Sequence, residues 1–176
     1  MKTVVFIGTS LDGFIARKNG DFEWLSKFAT QEVNSDYTEF INNIDAVVIG
    51  RGTFETVLKF ASWPYEPKVF VLSNTINEVP DELKDKVTLL SLKPKEVLEH
   101  LTEQGYSNVY VDGGKVIQDF LNEDCIDELI IAKAPALIGS GIPLFGYLRS
   151  DLNFKHLQTK VYSNGLVRSW YERERK

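Results

Sequence analysis

The sequence predicts an α/β sandwich with a mostly parallel sheet and antiparallel strands at one edge. Three observations carry that expectation. Thr3–Gly8 (TVVFIG) and Ala46–Gly50 (AVVIG) are continuous β-branched runs ending in glycine, as strands covered on both faces are. Helix-like stretches alternate with such runs through most of the chain, the pattern of a layered α/β fold. Near the end, Ser163-Asn164-Gly165 separates two β-rich runs, and Asn-Gly accepts the positive φ of a tight hairpin turn.

Taken in order, Thr3–Gly8 is the first strand, and its short apolar run is too brief for a signal peptide. A helix is expected over about Val33–Asn42, then the strand Ala46–Gly50 and a short helix over Phe54–Lys59. Lys68–Ser73 (KVFVLS) and Val87–Leu90 read as further strands. Pro94–Gln104 reads as a helix, with Pro94 in its first turn, Glu96 just after, and a face of Val97, Leu98 and Leu101. Val109–Asp112 (VYVD) and Ile126–Ala132 are strands on either side of a helix over Lys115–Asn122. A loop over Pro135–Pro143 follows, then the hairpin of Phe154–Tyr162 and Leu166–Glu174.

The 176 residues suit one domain, 1–176, with no repeat or low-complexity linker dividing them. Lys and Arg number 20 against 25 Asp and Glu, a net charge of −5. With no basic block, the chain is a poor candidate for gripping a nucleic-acid backbone. No apolar run reaches the ~18 residues of a membrane span. The lone Cys125 has no internal disulfide partner, and two histidines cannot build a zinc cluster. These features point to a cytoplasmic protein with a small-molecule ligand, no metal, no nucleic acid and no membrane.

In open α/β sheets, ligands bind beyond the carboxyl ends of the strands. Three segments lie there. Gly50-Arg51-Gly52-Thr53-Phe54-Glu55 offers backbone that a ligand can approach, and a guanidinium fork for phosphate. It is only a GxG, since Glu55 stands where the dinucleotide fingerprint has its third glycine. Asp112-Gly113-Gly114-Lys115 places paired glycines between a strand and a helix. Ser73-Asn74-Thr75 ends another strand. Each alone also reads as a plain turn, but their coincidence at one edge favours a site. His100 and His156 read as surface or packing residues, and Trp24, Trp63 and Trp170 as core or interface residues.

Together with Thr9-Ser10-Leu11-Asp12-Gly13-Phe14-Ile15-Ala16 and Ala136–Phe145 (ALIGSGIPLF), these segments occur in a familiar order. The chain resembles the dihydrofolate reductase-like superfamily, on the branch of the reductase domain of the bifunctional riboflavin-biosynthesis deaminase–reductase. The resemblance implies a three-layer sandwich around an eight-stranded sheet that binds NADPH across the strand ends. By position, Gly50, Arg51 and Thr53 fall in the site for the 2′-phosphate and pyrophosphate. Leu72, Ser73 and Asn74 fall in the second nucleotide loop. Gly113, Gly114, Lys115, Val116 and Ile117 fall under the pyrophosphate, and Thr9, Ile15 and Ala16 beside the nicotinamide. The deaminase zinc motif and the Pro-Trp pattern of folate enzymes are absent, which points to a free-standing reductase domain.

The expected activity is hydride transfer from NADPH to a small heterocycle such as a pterin or aminopyrimidine. A non-catalytic nucleotide-binding or regulatory protein, and a flavin-binding protein, stay open beside it. Glu32, Asp36 and Glu39 fall where folate enzymes carry a substrate carboxylate, and Asp36 is the candidate catalytic residue among them. Leu157, Val161, Tyr162, Leu166, Val167, Trp170 and Tyr171 give the hairpin an apolar surface suited to a homodimer, as the riboflavin branch also implies.

Overall fold

The computed structural model describes residues 1–175. The chain begins with β1 (Lys2–Thr9), a short β2 (Phe14–Ala16), the single turn α1 (Glu23–Ser26) and α2 (Gln31–Ile41). Next come β3 (Ala46–Gly50), α3 (Arg51–Val57), β4 (Lys68–Leu72) and β5 (Val87–Leu90). Then follow α4 (Pro94–Glu103), β6 (Asn108–Asp112), α5 (Gly114–Asn122) and β7 (Glu128–Lys133). The two-residue β8 (Ile142–Pro143), β9 (Phe154–Val161) and β10 (Val167–Arg173) complete the order. The main sheet has eight strands in the order β5-β4-β3-β6-β1-β7-β10-β9. Its neighbours are parallel except β10, which runs antiparallel to both β7 and β9.

Alternation along each strand sends successive residues to opposite faces. Val48, Phe70 and Val111 face α4 and α5, where Val97, Leu101, Ile117 and Phe120 cover them. Val47, Ile49, Val69 and Val71 face the other way, onto Phe54 and Val57 of α3 and Phe40 of α2. Both faces of the sheet are thus buried, and the fold is the expected three-layer sandwich. Local signals agree with it. Thr30 caps α2 by accepting the N–H of Val33, and Glu96 reaches back to the N–H of Lys93 at the start of α4. At the hairpin turn Gly165 has φ +86, and Tyr162 and Leu166 pair across it.

The segment expected to be a plain loop over Pro135–Pro143 ends in β8, which pairs with β2 as a separate two-stranded sheet. Elements of two and three residues are too short to show a period, so neither carries a sequence signal. The hairpin also differs from expectation. Tyr162 and Leu166 are buried with Trp24, because the chain from α1 to α2 folds over them. Of the predicted apolar surface, Leu157 (46% exposed) and Val161 (70%) on the edge strand β9 remain exposed.

A buried cation fastens α2 to that hairpin. Arg168 of β10 is 1% exposed, between the rings of Phe6 (4.6 Å) and Tyr162 (5.1 Å). Asp36 of α2 neutralises it at 3.0 Å and also accepts from Lys160 at 2.9 Å and from the Tyr162 hydroxyl. Burial alone would raise the Asp36 pKa, but hydrogen bonds from Tyr162 and Lys160 and the nearby cations hold it below the ordinary 3.8. Removing one partner of a buried pair leaves an uncompensated charge. Asp36→Ala is therefore expected to destabilise the chain by about 3 kcal/mol, read as a lowered Tm. The wild-type contribution is present above about pH 4 and is lost as pH falls through the lowered folded-state pKa, which acid titration of Tm checks.

Candidate functional site

Because β3, β4 and β6 run parallel, their carboxyl ends reach one edge. Gly50 pairs with Leu72 there, and Ile49 with Asp112. A cavity of about 1400 Å³ opens over these ends. That exceeds the ~300–1,000 Å³ of a single small-ligand pocket, and leaves space for two molecules side by side.

One half of the cavity suits an anionic ligand. Gly113 precedes α5 with φ +94, and a Cβ there would lie 2.5 Å from Thr53 Oγ1, so only glycine fits. No side chain caps α5, which leaves the N–H groups of its first turn unclaimed at the positive end of the helix. Gly114, Lys115 and Val116 line the cavity beside them. Across the gap, Arg51 donates to Thr75 Oγ1 at 3.1 Å and keeps a loose 3.7 Å pair with Glu55. Ser73 Oγ accepts the N–H groups of Thr75 and Ile76, making a tight turn beyond β4. Thr53, Leu72, Ser73 and Asn74 line the same wall, with Gly50 and Arg51.

Ile15 and Ala16 of β2 also line the cavity, and a Cβ at Gly114 would meet Ile15 Cδ1 at 3.1 Å. Three of the residues expected at the site lie elsewhere. Thr9 is buried with its hydroxyl unpartnered, and Ile117 is fully buried under α5. Asp36, the candidate catalytic residue, does not line the cavity; its carboxylate is taken up by Arg168, Lys160 and Tyr162.

The other half of the cavity is aromatic and is closed by a different acid. Phe6, Tyr37, Tyr65 and Tyr110 line it around Asp112, at the last position of β6. Asp112 Oδ1 accepts the N–H of Gly113 at 2.7 Å, and Oδ2 faces the Tyr65 hydroxyl at 3.4 Å. Burial raises its pKa, and the Gly113 N–H with the Tyr65 and Tyr110 hydroxyls offsets the rise only in part. The same enclosure and the Asp112 charge push Tyr65 and Tyr110 well above 10. The sequence reading quoted Asp112 only as part of Asp112-Gly113-Gly114-Lys115 and gave its carboxyl no role, although it lies two residues after Tyr110 on the same strand face.

Among the described residues, no three His, Cys, Asp or Glu side chains are grouped to hold a metal ion, and no helix is long and apolar enough to cross a membrane.

A crevice beyond the strand ends of a mostly parallel sheet gives the architecture, and comparison with known proteins gives the family. The family model "RibD C-terminal domain" matches residues 2–168, and the chain belongs to that family. It is 34% identical to the uncharacterised protein YwjB of Bacillus subtilis strain 168 over 169 residues, 94% of each chain. A crystal structure from Shewanella sp. PV-4, provisionally named for riboflavin biosynthesis, shares 42% identity. It superposes with a TM-score of 0.94, covering 99% of this chain and 100% of that one. The Thermotoga maritima diaminohydroxyphosphoribosylaminopyrimidine deaminase/5-amino-6-(5-phosphoribosylamino)uracil reductase is 19% identical with a TM-score of 0.76. It matches over 98% of this chain and 56% of its own, and at that identity it speaks for the fold alone.

A buried carboxyl with a raised pKa costs stability once pH rises through that pKa, because the folded state resists ionisation. Asp112→Asn keeps an acceptor for the Gly113 N–H and removes that cost. The variant is expected to melt higher than wild type at pH 8, each kcal/mol of relieved cost raising Tm by about 2–4 °C in a chain this long. The gain should shrink as pH falls toward 4, and paired thermal melts check both.

Proposed function

We propose that the chain is an NADPH-dependent reductase that delivers a hydride to a flat nitrogen heterocycle held against Asp112. The observation that carries this reading is one crevice with an anion-holding half joined to an aromatic half that ends in a half-buried carboxyl of raised pKa. The Thermotoga relative's reductase activity is named for an aminouracil, which makes a pyrimidine or a related pterin the substrate class of this proposal.

The residues present fit the cofactor. Gly113 and Gly114 let backbone approach a pyrophosphate at the uncapped start of α5, with Lys115 beside it. Arg51, steadied by Thr75, offers its remaining donors to the 2′-phosphate, with Ser73 nearby. Thr53, Leu72 and Asn74 wall the nucleotide in, and Ile15 and Ala16 border the nicotinamide. When bound, NADPH supplies the hydride.

The chain's own residues do the rest. Phe6, Tyr65 and Tyr110 give the heterocycle an apolar bed and keep water from it. Asp112, whose carboxyl the enclosure makes hold a proton more tightly, is the general acid for the ring nitrogen beside the carbon that is reduced. The substrate thus gains a C–H and an N–H bond, and Asp112 recovers its proton from solvent. The Tyr65 hydroxyl at Oδ2 orients the carboxyl.

Two copies of the chain form the working assembly in this reading. β9 is an edge strand with an unpaired ladder and exposed Leu157 and Val161, an edge that a second copy can cover. Light scattering at micromolar concentration is expected to return twice the mass of 20.0 kDa, and a monomeric mass rejects the dimer.

The cofactor assignment is tested without a substrate. A charge-assisted contact to the 2′-phosphate is worth roughly 1.5–3 kcal/mol, or about 10- to 150-fold in affinity. NADPH is expected to bind at least about tenfold tighter than NADH, and Arg51→Ala to erase most of that gap while barely changing NADH. Equal wild-type affinities by fluorescence titration overturn the role of Arg51 and the choice of cofactor. NADPH oxidation with pterins, aminopyrimidines and quinones then separates a reductase from a protein that only binds the nucleotide.

A further inference from the structure

One residue of α2, Tyr37, lines the crevice. Asp36 and Tyr37 are neighbours on that helix, about 100° apart around its axis. Asp36 turns to the hairpin, and Tyr37 turns into the crevice. The Tyr37 ring meets Phe6 edge-on at 5.5 Å and lies tilted against Phe40 at 6.3 Å, so its direction is set by packing.

Three phenols surround Asp112, and two of their hydroxyls are already committed. Tyr65 donates to Asp112 and Tyr110 to the backbone oxygen of Phe6 at 2.9 Å. The Tyr37 hydroxyl has no hydrogen-bond partner among the described residues, though its side chain lines the crevice. Burial and the Asp112 charge push its pKa up to about 12, so it remains a donor at any working pH. A phenol that lines the crevice and donates to no protein acceptor is free to donate to a ligand there.

We propose that the Tyr37 hydroxyl is the specificity-determining contact for the substrate, donating to a ring carbonyl oxygen while Asp112 meets the adjacent ring nitrogen. The inference rests on the reductase reading for its choice of crevice, and it narrows the substrate to lactam-type heterocycles, in which a C=O adjoins a ring nitrogen. A site built to hydrogen-bond a substrate group discriminates strongly against an analogue that lacks it, because the enclosed polar group is then unpaired.

The test uses the full chain, with and without saturating NADP⁺, titrated calorimetrically. The probes are 5,6-diaminouracil and 4,5-diaminopyrimidine, which lacks both ring carbonyls. Wild type is expected to prefer the uracil by about tenfold or more. Tyr37→Phe keeps the ring and the packing, and is expected to lose about fivefold or more on the uracil and nothing on the diaminopyrimidine. Its thermal melt should match wild type, which separates lost recognition from lost structure. Equal loss on both probes, no change on either, or no uracil binding by wild type overturns the proposal. A Tyr37-dependent preference in a protein that does not bind NADPH supports this contact and overturns the reductase reading instead.

Discussion

A parallel strand cannot be followed by its neighbour through a tight turn; the chain must cross back over a face of the sheet first. In this fold that constraint brings the ends of β3, β4 and β6 to one edge and places α2 and α3 on one face and α4 and α5 on the other. Everything at the crevice follows from it. Gly50, Leu72 and Asp112 come from segments some 20–40 residues apart, yet register along the ladder puts them side by side. α5 must start where β6 ends, so its unclaimed N–H groups open onto the same space.

Two aspartates divide the work by their surroundings. Asp36 is ringed by Arg168, Lys160 and Tyr162, which hold it ionised and make it a fastening for α2. Asp112 has no cation against it, only a backbone N–H and phenols, so burial dominates and it holds its proton more tightly. A carboxyl that must exchange a proton belongs in the second setting. The fastening still reaches the crevice. Arg168 lies against the Phe6 ring, and Phe6 stacks on Phe40 and meets Tyr37, so the α2–hairpin pair sets the aromatic wall.

The layered fold was legible because continuous apolar runs ending in glycine have few other readings, and Asn164-Gly165 marks its turn directly. Most of one crevice wall was legible for a related reason. Glycines at strand ends, with Arg51 and Ser73 beside them, are local signals of a close backbone approach. The substrate side was not. Among Glu32, Asp36 and Glu39 the sequence favoured Asp36, yet Asp36 turns to the hairpin and its neighbour Tyr37 lines the crevice, a direction decided by a buried Arg168 more than 130 residues away. Thr9 and Ile117 lie in segments that border the crevice but are themselves buried and do not line it. The β2–β8 sheet needs residues 14–16 and 142–143 to meet, and nothing local to either announces the other.

The central claim is that cofactor and substrate share the crevice, with the reactive ring of the cofactor next to Asp112. A crystal structure of the chain with NADPH tests that most directly. The account predicts the 2′-phosphate on Arg51, the pyrophosphate over Gly113 and Gly114, and the nicotinamide between Ile15 and Asp112. A dinucleotide bound outside the crevice, or bound with its adenine rather than its nicotinamide beside Asp112, contradicts it.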